Sequence, residues 1–163
     1  SLLLLKKTAG WVRDINPCQP ITSGIYEWDI DWGDKEKLSD LNKFIINSSD
    51  MISFHSYGSK DEVLRRVKEL KKYNRPILCT EYVAREYGNT FHTILPIFEE
   101  YNIGAFNWGF VSGKTNTIYP WKSWDSTYTA PPAKWHHDIF SQNGQPFSKE
   151  EVLYIKPLIF SKN

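Results

Sequence analysis

Long hydrophobic runs are missing from this sequence. The four leucines Leu2–Leu5 are too few to cross a membrane, and with no basic region before them and no small-residue cleavage site after them they do not read as a signal peptide. The chain opens in mid-pattern, as though a helix had already begun. Cysteine is scarce: Cys18 and Cys79 are the only two, too few and too far apart for a disulfide scaffold or a zinc site. Neither sign of charge is in excess, with 20 basic against 19 acidic residues, so there is no electrostatic case for nucleic acid or an anionic membrane as partner. No G-x-G-x-x-G or Walker pattern follows any apolar segment, which weakens a nucleotide-binding reading. His92, His136 and His137 lack ligand spacing such as H-E-x-x-H and read as surface residues, and neither a metal nor a cofactor is expected.

Aromatic residues are plentiful. With 7 Trp, 9 Tyr and 9 Phe they make up 15% of the chain, enough either for an aromatic core or for stacking on a flat ligand such as a sugar ring. At 163 residues the sequence suffices for one domain, residues 1–163. Helical spacing covers Ser1–Ile15, where Leu2, Leu5, Ala9 and Val12 share a face, and a second helix opens at Asp34 and carries Leu38, Leu41 and Ile45. Ser59 with Glu62, and Ser148 with Glu151, have the spacing of capping boxes, the latter opening a helix that ends near Pro157. Another helix starts at Asn89 or Thr90, where Pro96 should kink or delay it. The short apolar segments Gln19–Ser23, Met51–Phe54, Arg75–Glu81 and Gly104–Trp108 read as strands. The Ile25–Gly33 segment, rich in Trp and Asp, reads as a loop in which Trp28 and Trp32 either pack or touch a ligand. Strand and helix alternate, which predicts an α/β fold with a parallel sheet, either doubly wound or a barrel.

The Arg75–Glu81 segment starts at a proline and stops on a carboxylate, as a buried parallel strand does when it ends at a reactive rim. Taking the exit of each strand gives Thr22 and Ser23, then His55 and Tyr57, then Glu81, then Asn107 and Trp108. A carboxylate flanked on neighbouring strands by His-x-Tyr and Asn-Trp can be oriented and tuned by them.

The motifs Gln-Pro-Ile-Thr-Ser-Gly, Ser-Phe-His-Ser-Tyr, Arg-Pro-Ile-Leu-Cys-Thr-Glu-Tyr and Phe-Asn-Trp-Gly-Phe-Val together resemble strands five to eight of clan A glycoside hydrolases. This is the (β/α)8 TIM-barrel group that includes the family 2 and family 5 β-glycosidases. The resemblance extends to Gly113–Thr117 and Tyr119–Trp121. It implies a C-terminal half-barrel of four βα units belonging to a retaining β-glycosidase. In it Glu81 is the nucleophile, His55 and Tyr57 border it, and Trp108, with Asn107 beside it, floors the subsite of the scissile sugar. Trp121, Trp124 and Tyr119 become further stacking platforms, and Lys114 and Asn116 hydroxyl partners. The implied substrate is an oligo- or polysaccharide, and members of the group are often secreted or periplasmic.

A retaining glycosidase needs a second carboxyl group about 5–5.5 Å from the first. In the resembled clan it is a Glu following an Asn at the end of strand four, and no Asn-Glu dipeptide occurs here. Glu27 is the only nearby substitute and reads better as a substrate-loop or solvated residue. A whole barrel takes about 250 residues, so the resemblance implies that the acid/base and the other four units lie upstream. The chain alone is then expected to be nearly inert, and to self-associate or pair with the missing N-terminal half-barrel. A non-catalytic carbohydrate-binding or interaction domain derived from such a barrel is the alternative.

Overall fold

Parallel strands cannot be joined by tight turns, so each needs a crossover, and apolar helical stripes between short strands supply it. The computed structural model describes residues 1–160. Its strands β1 (Gly24–Ile25), β2 (Ile52–His55), β3 (Ile77–Glu81) and β4 (Gly104–Ala105) form one sheet in the order β1-β2-β3-β4. Every neighbouring pair is parallel. Helix α1 (Leu2–Asp14) precedes the sheet, and α2 (Asp40–Ser48), α3 (Lys60–Lys71) and α4 (Phe91–Glu100) make the three crossovers. Helix α5 (Lys149–Phe160) follows a long loop that holds a single 3-10 turn, Trp121–Trp124. Because the strand order never reverses and such crossovers are right-handed, the helices collect on one face. No reversal of strand order, the mark of a doubly wound sheet, occurs among the described strands.

Several elements differ from their sequence expectation. The first strand does not occupy Gln19–Ser23, because that backbone bonds to other groups. Ile21 exchanges hydrogen bonds with Asp50, its N–H donating to Oδ2 at 2.7 Å and its carbonyl accepting from the Asp50 N–H at 2.7 Å. The Ser23 N–H goes to Ser49 Oγ at 3.2 Å. The ladder therefore begins at Gly24, and the exit of β1 is Tyr26–Trp28 rather than Thr22 and Ser23. Helix α2 starts at Asp40, capped by Ser39, which accepts from the Asn42 N–H. Asp34 instead closes a separate turn by accepting from the Glu36 N–H. Pro96 lies within α4, whose entry is fixed by a Thr90–Thr93 capping box, and Pro157 lies within α5, which runs on to Phe160. Beyond Ala105 the chain leaves the regular ladder but stays beside β3, with Phe106 N–H on the Cys79 carbonyl and Trp108 N–H on that of Tyr82.

One face of the sheet is the core. Ile52, Phe54, Ile77 and Cys79 are buried with Val63, Val67 and Leu70 of α3 and Ile94, Ile97 and Phe98 of α4. Aromatic edges run through it from Trp32 to Phe54 to Phe98 to Tyr82, with centroids 5.3–6.5 Å apart. The other face carries the register set Gly24, Ser53, Leu78 and Gly104, small apart from Leu78. A Cβ on Gly104 would lie 2.3 Å from Leu78 Cδ2, so glycine leaves room there for the tip of that leucine. Farther along β4's path Phe106 and Trp108 are exposed.

The loop after β1 is tied down by charge. Arg66 of α3, fully buried, lies 4.0 Å from the Trp32 ring centroid, donates to the carbonyls of Ile30 and Trp28, and pairs with Glu69 Oε2 at 2.9 Å. Glu69 also accepts from the Trp32 N–H. Replacing Glu69 by leucine strands the Arg66 charge and should lower unfolding free energy by about 3–5 kcal/mol, measured by urea denaturation. An unchanged midpoint would show that the pair is not a fold determinant.

Candidate functional site at the carboxyl end of the sheet

Strand periodicity alone would put Glu81 on the core side, two residues from buried Cys79. A bulge prevents this: Phe54 pairs with Cys79, but His55 pairs with Glu81, leaving Thr80 as the extra residue. One inserted residue reverses the alternation. Glu81 thus emerges beside His55. Tyr57 donates its hydroxyl to Glu81 Oε2 at 2.7 Å, and His55 Nδ1 lies 3.3 Å from the same oxygen. Among the described residues no hydrogen bond reaches Oε1, which is not among the buried unpaired atoms and so meets solvent. Burial, then the hydrogen bond to Glu81, pushes the Tyr57 phenol well above its usual pKa, so it remains a neutral donor.

An open cleft of about 610 Å³ adjoins this pair. Its walls are Tyr26 and Trp28 from the exit of β1, His55 and Tyr57 from that of β2, Ser59 and Glu62 from the start of α3, and Tyr87 and Trp121. Trp121 meets Tyr57 edge-on at 5.1 Å and stacks on Tyr87 at 5.4 Å. Apolar rings with a few polar tips suit a ligand with both flat faces and hydroxyls.

Of the residues singled out from sequence, His55, Tyr57 and Trp121 line this cleft, and Glu81 lies behind its wall in contact with His55 and Tyr57. Asn107 does not join them; its Nδ2 donates to the Gly109 carbonyl and its side chain lines an apolar cavity between β4, α4 and α5. Trp124, Tyr119 and Asn116 line a different, polar surface pocket beyond the 3-10 turn. Trp108 and Lys114 are not part of the cleft wall. Glu27 is neither solvated freely nor turned to Glu81, since its carboxylate accepts from Asn42 Nδ2 at 3.0 Å. Tyr26, Tyr87 and Glu62 were not legible as lining a cleft. Their one signal was position, in the segments following strands or opening a helix.

His136 and His137 correct the surface reading, because both are buried. They sit edge-to-face 4.2 Å apart beneath Trp121. His137 Nδ1 donates to the Val83 carbonyl at 2.5 Å, leaving Nε2 the bare nitrogen of the neutral ring. His136 has neither nitrogen paired. Burial, then His137 and Arg85, lower the His136 pKa to about 4, and burial lowers that of His137. No group of three or more possible metal-ligating side chains occurs among the described residues. Nearby, Arg85 is clamped to Glu151 of α5 at 2.7 Å, both largely buried, which pins the segment after β3 to the last helix.

Both histidines are kept neutral by the fold and bind protons more readily when unfolded. Stability should therefore be complete above the unfolded value of about 6.5 and fall as pH drops toward 4, by up to about 3 kcal/mol for His136. Urea midpoints between those pH values test this against His136→Leu, which should show the shallower slope. Burial likewise raises the Cys79 thiol to about 12, so iodoacetamide at pH 8 should alkylate the exposed Cys18 and spare Cys79.

No protein-family model matches the chain, and no curated protein is significantly similar to it.

Proposed function

We propose that this chain carries the nucleophile side of a retaining β-glycosidase, its sheet being half of a (β/α)8 barrel and its substrate an oligo- or polysaccharide. The observation that carries the reading is the Glu81 carboxylate: one oxygen is held by Tyr57 and His55 while the other is open, at the carboxyl end of a parallel sheet and next to an aromatic cleft. That is the placement chemistry takes in barrels of parallel strands. In the first half of a double displacement, Glu81 Oε1 attacks the anomeric carbon as the bond to the leaving oxygen breaks. Tyr57 holds Oε2 so that the carboxylate cannot rotate away. His55 sets the second side of that grip. Trp121 and Trp28 offer faces for neighbouring sugar units.

A proton must reach the leaving oxygen from a second carboxyl group. Among the described residues Glu62 is the only carboxylate in the cleft wall, and the Asn-Glu motif of the resembled clan is absent from the 163 residues. On this reading the donor belongs to four further βα units that pair with the free edges of β1 and β4. The same absence favours one second reading, a non-catalytic sugar-binding domain that keeps the rim aromatics without the chemistry.

A substrate whose leaving group needs no proton separates the two. Incubation with 2-deoxy-2-fluoro glycosyl fluorides of the gluco, manno and galacto series should form an ester between Glu81 and the anomeric carbon with loss of fluoride, seen as a mass increase on the peptide containing Glu81. Glu81→Gln should give none. Sugar binding without any adduct, retained in Glu81→Ala, would favour the binding domain instead.

Methyl glycosides should not be turned over by the chain alone; turnover abolished by Glu81→Gln would overturn the half-barrel reading. The free edges and the exposed Phe106 and Trp108 should drive concentration-dependent association. A single monomer boundary in sedimentation velocity across a wide concentration range would count against it.

A further inference from the structure

Val83, two residues beyond Glu81, has φ +74°. A β-branched residue in the left-handed region is a genuine outlier and persists only where its surroundings over-determine it. Here they do. The Val83 N–H donates to Asn89 Oδ1 at 2.9 Å, and its carbonyl accepts from His137 Nδ1 at 2.5 Å, so both polar groups of the peptide are gripped by side chains from elsewhere. Val83, Asn89 and His137 are all buried.

Asn89 does more than hold Val83. Its Nδ2 donates to the carbonyls of Ser56 at 3.1 Å and Gly58 at 2.8 Å, the residues on either side of Tyr57. A single amide thus ties the backbone after β2 to the backbone after β3, and the Ser56 N–H on the Glu81 carbonyl, at 3.0 Å, joins the same two exits. The side-chain bond between Tyr57 and Glu81 spans the gap between those two segments. Asparagine is required for this because it offers two donors and an acceptor at that reach, whereas aspartate would set a carboxylate against two carbonyls. The helix that follows is capped by Thr90, so capping does not account for Asn89. His137 makes its contact from the far loop while its ring lies 5.3 Å from that of Tyr57.

We propose that Asn89 and His137 are positioning residues for the Glu81–Tyr57 pair, acting through the left-handed backbone they impose at Val83. Asn89 fixes the spacing of the two strand exits, and His137 fixes the turn that follows Glu81 while backing the phenol. The catalytic meaning of this lock rests on reading Glu81 as a nucleophile. The lock itself does not.

The test reads the phenol directly. The chain is labelled with tyrosine carrying ¹³C at Cζ, the Tyr57 signal is assigned by its loss in Tyr57→Phe, and its titration is followed between pH 8 and 12 by NMR, with circular dichroism reporting the fold. In the native chain Tyr57 should stay un-ionised throughout. In Asn89→Ala its ionisation should move down into that range, a shift of at least about one pH unit. His137→Ala should shift it in the same direction, and His137→Asn, whose amide N–H can reach the place of Nδ1, should restore the native behaviour. Folded variants that are less heat-stable but leave Tyr57 un-ionised would show a purely structural role and overturn the proposal. Should Asn89→Ala fail to fold, the His137→Ala and His137→Asn pair decides alone. Failure of the fluoro-sugar trap with these shifts present would refute the nucleophile and leave the positioning intact.

Discussion

The site depends on one extra residue in a strand. Without the bulge at Thr80, Glu81 would follow Ile77 and Cys79 into the helix-covered core, where an unpaired carboxylate could not be tolerated in its charged form. With it, the carboxylate turns to the rim and meets His55 and Tyr57 from the neighbouring strand. The bulge is compatible with a tight core because the residues before it, Ile77 and Cys79, keep their regular pairing with Ile52 and Phe54. Irregularity starts at the last residues of β3 and continues beyond them in the left-handed Val83 and the short 3-10 turn Arg85–Tyr87.

The rim is stiffened by polar contacts as well as apolar ones. Buried charges are costly unless paired, and the two buried arginines are both paired. Arg66 with Glu69 secures the loop after β1, and Arg85 with Glu151 secures the segment after β3. Between them lie the buried, neutral His136 and His137 and the ring cluster of Tyr57, Tyr87 and Trp121. Strain at Val83, of order 1–3 kcal/mol for such a conformation, is offset locally by hydrogen bonds that fully satisfy its peptide groups.

Much of the architecture was legible. Helices open where the Ser59–Glu62 spacing and the start at Asn89 or Thr90 put them, and the apolar run ending at Glu81 is a parallel strand. The ends of elements were less so. Side-chain acceptors on Ser49 and Asp50 took the backbone of residues 21 and 23 out of the ladder, a long-range competition that no local pattern reveals. The burial of His136 and His137 is not legible because a histidine pair in a polar loop carries no periodicity, and the rings of Trp121, Tyr87 and Tyr57 reach it from other segments. Within the site, Glu81, His55 and Tyr57 were found through their place at strand exits. Tyr87 and Asn89 were not, since their roles arise from where a turn brings them. Resemblance also drew attention to Tyr119, Asn116 and Trp124, which belong to a separate surface pocket.

Helix α3 touches the cleft twice. Its first turn supplies Ser59 and Glu62 to the wall, and two turns on, Arg66 and Glu69 grip the loop that carries Trp28, another part of that wall. Both parts of the wall are therefore mounted on one helix, so any displacement of α3 carries Ser59, Glu62 and the Trp28 loop together, and the gap between them is set by the helix itself.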